Sequence, residues 1–172
     1  MYKTLLFFIF STIVAMPAIA VGKSEDKTML YPINVEIREI KNRAQEAQVR
    51  GHKIIIDQPK EFGADDTGPT PPELLAISYG SCVLSTIQLL AVQQKLDISN
   101  IKVSVTGTVD FSKAMGVSDE HRAGFPSLTV KLSFTSSLSE AQKNKLIVDV
   151  SRIGAAIDNI ENATPVKYIL EE

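Results

Sequence analysis

Thr70-Pro71-Pro72-Glu73 opens the segment that most restricts how this chain can fold. A threonine at the N-cap, a proline at the first helical position and an acid three residues after the threonine make a capping box with an N-terminal proline. The spacing predicts a helix from Pro71 to about Gln94. Leu74, Leu75, Ile77, Ile87, Leu89, Leu90 and Val92 put apolar side chains on several sides of it. A helix of that kind is mostly buried, so other elements must cover it.

Strand patterns flank the helix. Ile33, Val35 and Ile37 alternate with Asn34, Glu36 and Arg38, a half-buried strand. Arg43 to Arg50 reads as a second strand, Gly51-His52 as a turn and Lys53 to Asp57 as a third strand. Pro59 to Pro72, rich in Pro, Gly and Asp, is a loop. After the helix, Ile101, Val103, Val105, Val109 and Phe111 alternate with polar or small residues, as do Leu128, Val130, Leu132 and Phe134. Both predict strands of an antiparallel sheet with one face buried, joined by an irregular excursion from Ser112 to Pro126. Ser139 and Gln142 form a second capping box ahead of a helix expected from Glu140 to about Ile160, in which Gly154 is a weakness of about 1 kcal/mol against Ala. Val166 to Leu170 is expected as a last edge strand. Strands, helix, strands, helix, strand make an α+β class.

The N-terminus reads as an address. Lys3 precedes the mainly apolar run Leu5 to Met16, and Pro17-Ala18-Ile19-Ala20 follows with small residues at the −3 and −1 positions of a cut after Ala20. That is the layout of a secretory signal peptide, residues 1–20. The alternative is an uncleaved anchor, although the run is shorter than the roughly 20 apolar residues of a spanning helix. No Cys follows it, which excludes a lipoprotein. The expectation is a periplasmic or secreted protein with no stable membrane insertion after cleavage, a loose leader over 21–30 and a single domain over 31–172. The 172 residues carry 18 Lys and Arg against 20 Asp and Glu, with no basic block, which argues against a nucleic-acid partner. One cysteine and two histidines exclude an internal disulfide framework and argue against a structural metal site. No cofactor is expected.

Cys82 is that one cysteine, inside the long helix. Its neighbours three and four away are Ser78, Tyr79, Ser85 and Thr86, a strip of hydroxyls in an otherwise apolar helix. Gly80 and Ser81 admit close packing beside it. The ordinary reading is a buried cysteine behaving as a small hydrophobe. An unpaired thiol in an exported protein points instead to shielding, an intermolecular disulfide or reactivity. His52 and His121 read as surface residues in turns.

Loop, helix and cysteine together run Pro59-Lys60-Glu61-Phe62-Gly63, Asp66-Thr67-Gly68-Pro69-Thr70-Pro71-Pro72-Glu73-Leu74-Leu75, then Gly80-Ser81-Cys82. This run resembles the signature of the OsmC/Ohr family, the osmotically induced and organic-hydroperoxide-resistance proteins. His121-Arg122-Ala123-Gly124-Phe125, and Asp158-Asn159-Ile160 ahead of Thr164-Pro165-Val166, are similar to an OsmC-like subgroup. The resemblance covers about residues 33–170. It implies an OsmC-like fold: antiparallel sheets wrapping two central helices in an intertwined homodimer, with the thiol near the subunit interface. It also implies thiol peroxidase chemistry, in which a thiolate attacks a hydroperoxide and becomes a sulfenic acid. A second cysteine on the later helix then closes a disulfide, while an arginine and a glutamate hold thiolate and peroxide. A nearby cation lowers a thiol's pKa, and a sulfenic acid left without a thiol risks overoxidation.

The chain departs from that pattern. Counted back from Thr164-Pro165-Val166, the family's second cysteine falls at Gly154, or in another alignment at Ser151, so an intramolecular two-cysteine cycle is impossible. The family's acid stands ten before the cysteine, where this chain has Pro72. Glu73 stands nine before Cys82, about 180° around the helix from it, and also suits the capping box. The family's arginine falls near Arg43, with Arg50 and Arg122 as competitors. Cys82, Arg43 and Glu73 are therefore the candidate catalytic residues. Three functions stay open: a one-cysteine peroxidase for organic hydroperoxides recycled by an external thiol reductant, a non-catalytic binder of an apolar small molecule or lipid, and a thiol-exchange partner.

Overall fold

The hairpins at the start of the fold are set by their turns. Strand β1 (Glu36–Lys41) turns at Asn42-Arg43 into β2 (Ala44–Val49), which turns at Arg50-Gly51 into β3 (His52–Ile56). All four turn residues have positive φ (47°, 71°, 47° and 80°), the geometry of two-residue loops that matches the twist of the flanking strands. The turn expected at Gly51-His52 thus falls one residue earlier, at Arg50-Gly51, and His52 pairs with Val49. Ile33 and Val35 lie outside β1. Extending the register of Glu36 on Gln48 would set Val35 against Val49, the last residue of β2, and Ile33 against Gly51 in the turn, so the ladder has run out by Ile33.

This computed structural model describes residues 28–171. The expected signal peptide, and the leader up to residue 27, lie outside the described residues. The chain divides into two units, Met1–Ile33 and Asn34–Glu172; within the first, residues 28–33 form neither helix nor strand.

In the second unit the loop after β3 is tied back onto that strand. Asp57, 1% exposed, accepts hydrogen bonds from the Thr67 N–H (2.9 Å), the Thr67 hydroxyl (2.7 Å) and the Gln58 N–H (2.8 Å). Those donors hold its carboxyl below the usual range, the Thr67 N–H most strongly. Gly68 passes so close that a Cβ there would sit 2.3 Å from the Ile55 carbonyl oxygen. A single 3-10 turn (Lys60–Phe62) lies within this loop. The loop delivers the chain to α1 (Pro71–Gln94), whose capping box is formed as expected: the Glu73 N–H donates to Thr70 Oγ1, and Thr70 N–H and Oγ1 donate to the Glu73 carboxylate.

β4 (Ile98–Gly107) and β5 (Leu128–Ser136) form a separate antiparallel pair, with an irregularity between Ser99 and Lys102. β4 stops before Val109 and Phe111, which were expected within it. Extending the register would set Val109 against Pro126, which has no N–H to give the ladder. The excursion closes instead through an isolated bridge between Asp110 and Gly124. The last expected helix is two: α2 (Glu140–Ile153), capped by Ser139 and Gln142, and α3 (Ala155–Glu161), broken by an extended Gly154 (φ −76°, ψ 118°). Val166 to Leu170 form no strand, because an edge strand needs a neighbouring ladder and this segment pairs with none among the described residues. The core is built where α1 meets α2, α3 and the β4–β5 pair: Val83, Ile87, Leu90, Leu146, Val150 and Ile157 are buried together, with Val103, Leu132 and Phe134 against them.

Candidate active site

Cys82 owes its position to the glycine two residues before it. A Cβ on Gly80 would meet Val105 Cγ2 at 2.9 Å, so the missing side chain lets α1 lie directly on β4. The helix is thereby pressed into the core, and Cys82, half-buried, packs against the cluster of Val83, Ile87 and Ile157. Its sulfur faces the break between α2 and α3. A Cβ built on Gly154 would stand 3.3 Å from Cys82 Sγ, and 2.6 Å from Ile157 Cδ1. The space a residue-154 side chain would need is therefore occupied by Ile157, itself 1% exposed.

One turn earlier, Tyr79 shares the thiol's side of α1. Burial pushes its phenol above the ordinary value of 10.0, and the negative charges of Glu161 and of Cys82, when ionised, act in the same direction. Tyr79 lines two cavities. One, of about 160 Å³, runs between α1, β5 and α2 and includes Val83, Leu132, Val150, Ser151 and Ile157. The other, of about 720 Å³, opens toward residues 122–128.

The other two candidates lie in different surroundings. Glu73 is bound to Thr70, whose backbone N–H is the main reason its carboxyl is held below the usual range. It borders a cavity of about 940 Å³ with Ile77, Gly80 and Ser81, and Cys82 is not on that wall. Arg43 sits in the β1–β2 turn and donates to the Phe62 carbonyl. With Phe62, Phe111 and Met115 it lines a cavity of about 410 Å³, again without Cys82. Within one chain the three candidates are not gathered around one cavity. Arg122 lines the Tyr79 cavity instead. Ser151, the alternative to Gly154, donates its hydroxyl to the Val148 carbonyl and lines the small cavity.

Two residues that shape this region escaped the sequence. Ile157 is one more apolar residue in a helical pattern, and only the break at Gly154 turns it onto the thiol. Asp57 looked like the end of a strand; its signal was an acid ten residues before a Thr-Gly-Pro, a pattern that has meaning only once the loop folds back.

Known proteins give this arrangement its context. A family model described as OsmC-like protein matches residues 63–169. Among curated proteins, none matches the chain. Among solved structures, an OsmC-like protein from Mycoplasma pneumoniae is 19% identical over 78% of this chain and 91% of its own, with a TM-score of 0.68. An organic hydroperoxide resistance protein OsmC from Legionella pneumophila is 20% identical over 77% and 91%, with a TM-score of 0.57. A putative organic hydroperoxide resistance protein from Vibrio cholerae, with captopril bound in one of its active sites, is 17% identical over 82% and 92%, with a TM-score of 0.57. At these identities the likeness is one of fold.

Proposed function

Since the chain belongs to the OsmC-like protein family, we propose that it is an exported one-cysteine thiol peroxidase that reduces organic hydroperoxides and works as a homodimer in the periplasm or outside the cell. The observation that carries the reading is the place of Cys82: its sulfur faces Gly154, where the family's count puts a second cysteine, from the half-buried middle of a helix. In the proposed cycle the Cys82 thiolate attacks the outer oxygen of the hydroperoxide. The O–O bond breaks, the alcohol leaves after taking one proton, and the sulfur becomes a sulfenic acid. An external thiol condenses with it to a mixed disulfide and releases water. A second external thiol then frees Cys82 and leaves as the small disulfide. No internal resolving step exists, because the chain holds one cysteine. Arg43 and Glu73 are the proposed partners of thiolate and peroxide. Each is engaged elsewhere within one chain, so in this reading they act across a subunit interface or after their present bonds break.

Intact mass after a stoichiometric addition of cumene hydroperoxide, with a sulfenic-acid trap present, tests this. Rapid trapping on the parent and none on Cys82→Ser is expected. A Cys82→Ser protein that consumes the peroxide as fast as the parent would overturn it. One observation favours a second reading, a non-catalytic binder: Ile157 fills the space facing the sulfur. A peroxide left unconsumed, with Cys82 slow to alkylate, would select that reading.

A further inference from the structure

The cavity of about 720 Å³ between the start of α1, residues 122–128 and the end of α3 has the size of a small-molecule site. Leu75, Tyr79, Phe125, Leu128 and Ile160 make its wall apolar and aromatic, and Arg122 is the one charged side chain on it. No acid lines it. Arg122 is exposed, and the ion pairs among the described residues do not include it. Asn159, also on the wall, is occupied at both ends of its amide: Nδ2 donates to the Ala155 carbonyl and Oδ1 accepts from the Thr164 hydroxyl. The two residues that begin α1 here, Pro71 and Pro72, have no N–H to offer. Tyr79 and Ser127 add hydroxyls to the wall, so the only charge the cavity offers a ligand is one unmatched guanidinium beside a broad apolar surface.

That combination selects a chemistry. A guanidinium takes a carboxylate through two parallel hydrogen bonds, and its worth rises where apolar walls exclude water. A neutral chain of the same length gains the wall alone, and a cationic one meets the guanidinium's repulsion. A polyanion would find a single positive charge. We propose that this cavity binds a monoanionic amphiphile, a carboxylate on an aliphatic chain of medium length, with Arg122 on the head group and Leu75, Tyr79, Phe125 and Ile160 along the tail. Cys82 does not line the cavity, so the site stands apart from any reaction at the thiol.

Calorimetric titration of the full chain with decanoate, decanol and decyltrimethylammonium tests the site. Decanoate binds tightest, decanol about tenfold or more weaker, and the cation not at all. Arg122→Gln, a change on an exposed side chain, weakens decanoate by about tenfold or more and leaves decanol unchanged. Cys82→Ser binds decanoate as the parent does, whatever happens to peroxide turnover. Equal affinity for decanoate and decanol in the parent, full decanoate affinity in Arg122→Gln, or no binding by either would overturn the proposal.

Discussion

A side chain at position 154 would bring its Cβ within 3.3 Å of Cys82 Sγ, yet the backbone there (φ −76°, ψ 118°) is one any residue adopts. Glycine is required by what faces it and not by its torsions. In a disulfide, a Cβ lies about 3 Å from the partner's sulfur, so Gly154→Cys is placed to bond Cys82 once Ile157 moves off. Mild oxidation of that variant is expected to remove both free thiols, read by thiol titration and by the loss of two hydrogens in intact mass. Displacing Ile157 costs about 1–3 kcal/mol in the reduced protein, seen as an earlier urea midpoint. Two titratable thiols after oxidation would show that residue 154 and Cys82 do not meet. Glu46 is a second residue whose surroundings set a measurable quantity. Hydrogen bonds from Gln48 and Arg38, with Lys53 adding to them, lower its pKa from 4.5 to about 2. The folded state therefore holds the charged form more firmly than the unfolded chain does. Its contribution is complete above pH 4.5 and is lost as pH falls toward about 2. Glu46→Gln should be less stable than the parent near neutrality and converge on it toward the acid end. A gap that stays constant across that range would mean the ion pairs contribute nothing.

Helix α1 shows which parts of an element a sequence carries openly. Its cap was legible because Thr70, Pro71 and Glu73 act on neighbours in the chain, and Thr70→Ala should cost about 1 kcal/mol in chemical denaturation. Gly80 was legible only as a small residue beside Cys82. Its role depends on Val105, twenty-five residues away, which leaves 2.9 Å for a Cβ. Gly80→Val should then destabilise by about 1–3 kcal/mol, through overpacking against β4, and an unchanged denaturation midpoint would show that α1 does not lie that close. The same division explains the rest. Both capping boxes, and the middles of the alternating strands, came through because their causes are local, whereas strand ends and the Arg50-Gly51 turn did not fall where expected. The end of β4 was missed because it is set by Pro126 across the ladder. The split between α2 and α3 was missed because its cause is Ile157 and Cys82 meeting at Gly154. The cysteine itself was easy to find, but its surroundings come from three elements, and neither Arg43 nor Glu73, chosen from spacing, shares a cavity wall with it within one chain.

The molecule as a whole leaves its most apolar helix half-dressed. Ile77, Leu89 and Val92 are 56%, 49% and 79% exposed, and with Ser81 and Ser85 they form one stripe along α1. Only 28% of the helix's most apolar eighteen-residue stretch is buried. By length and composition α1 could cross a membrane. Its opposite face, however, is already committed: Gly80, Val83, Ile87 and Leu90 are buried against β4, α2 and α3, and a lone spanning helix would give up that packing. A contiguous apolar patch on a folded protein marks an interface. The stripe's alternation of small serines and aliphatic side chains suits another helix surface, and a two-fold pairing would lay the same stripe on itself. A second copy of this chain is therefore the expected cover. Sedimentation equilibrium should return about twice the monomer mass at micromolar concentration. Ile77→Lys combined with Leu89→Lys places two charges in the stripe while leaving the buried face untouched, and should sediment as a monomer with the parent's circular dichroism. A parent that stays monomeric, or a doubly substituted variant that remains dimeric, would send the search for the cover of α1 elsewhere. If peroxide turnover is lost together with the dimer while the fold persists, the residues that complete the Cys82 site come from across the interface. Unchanged turnover in the monomer would place them all in one chain.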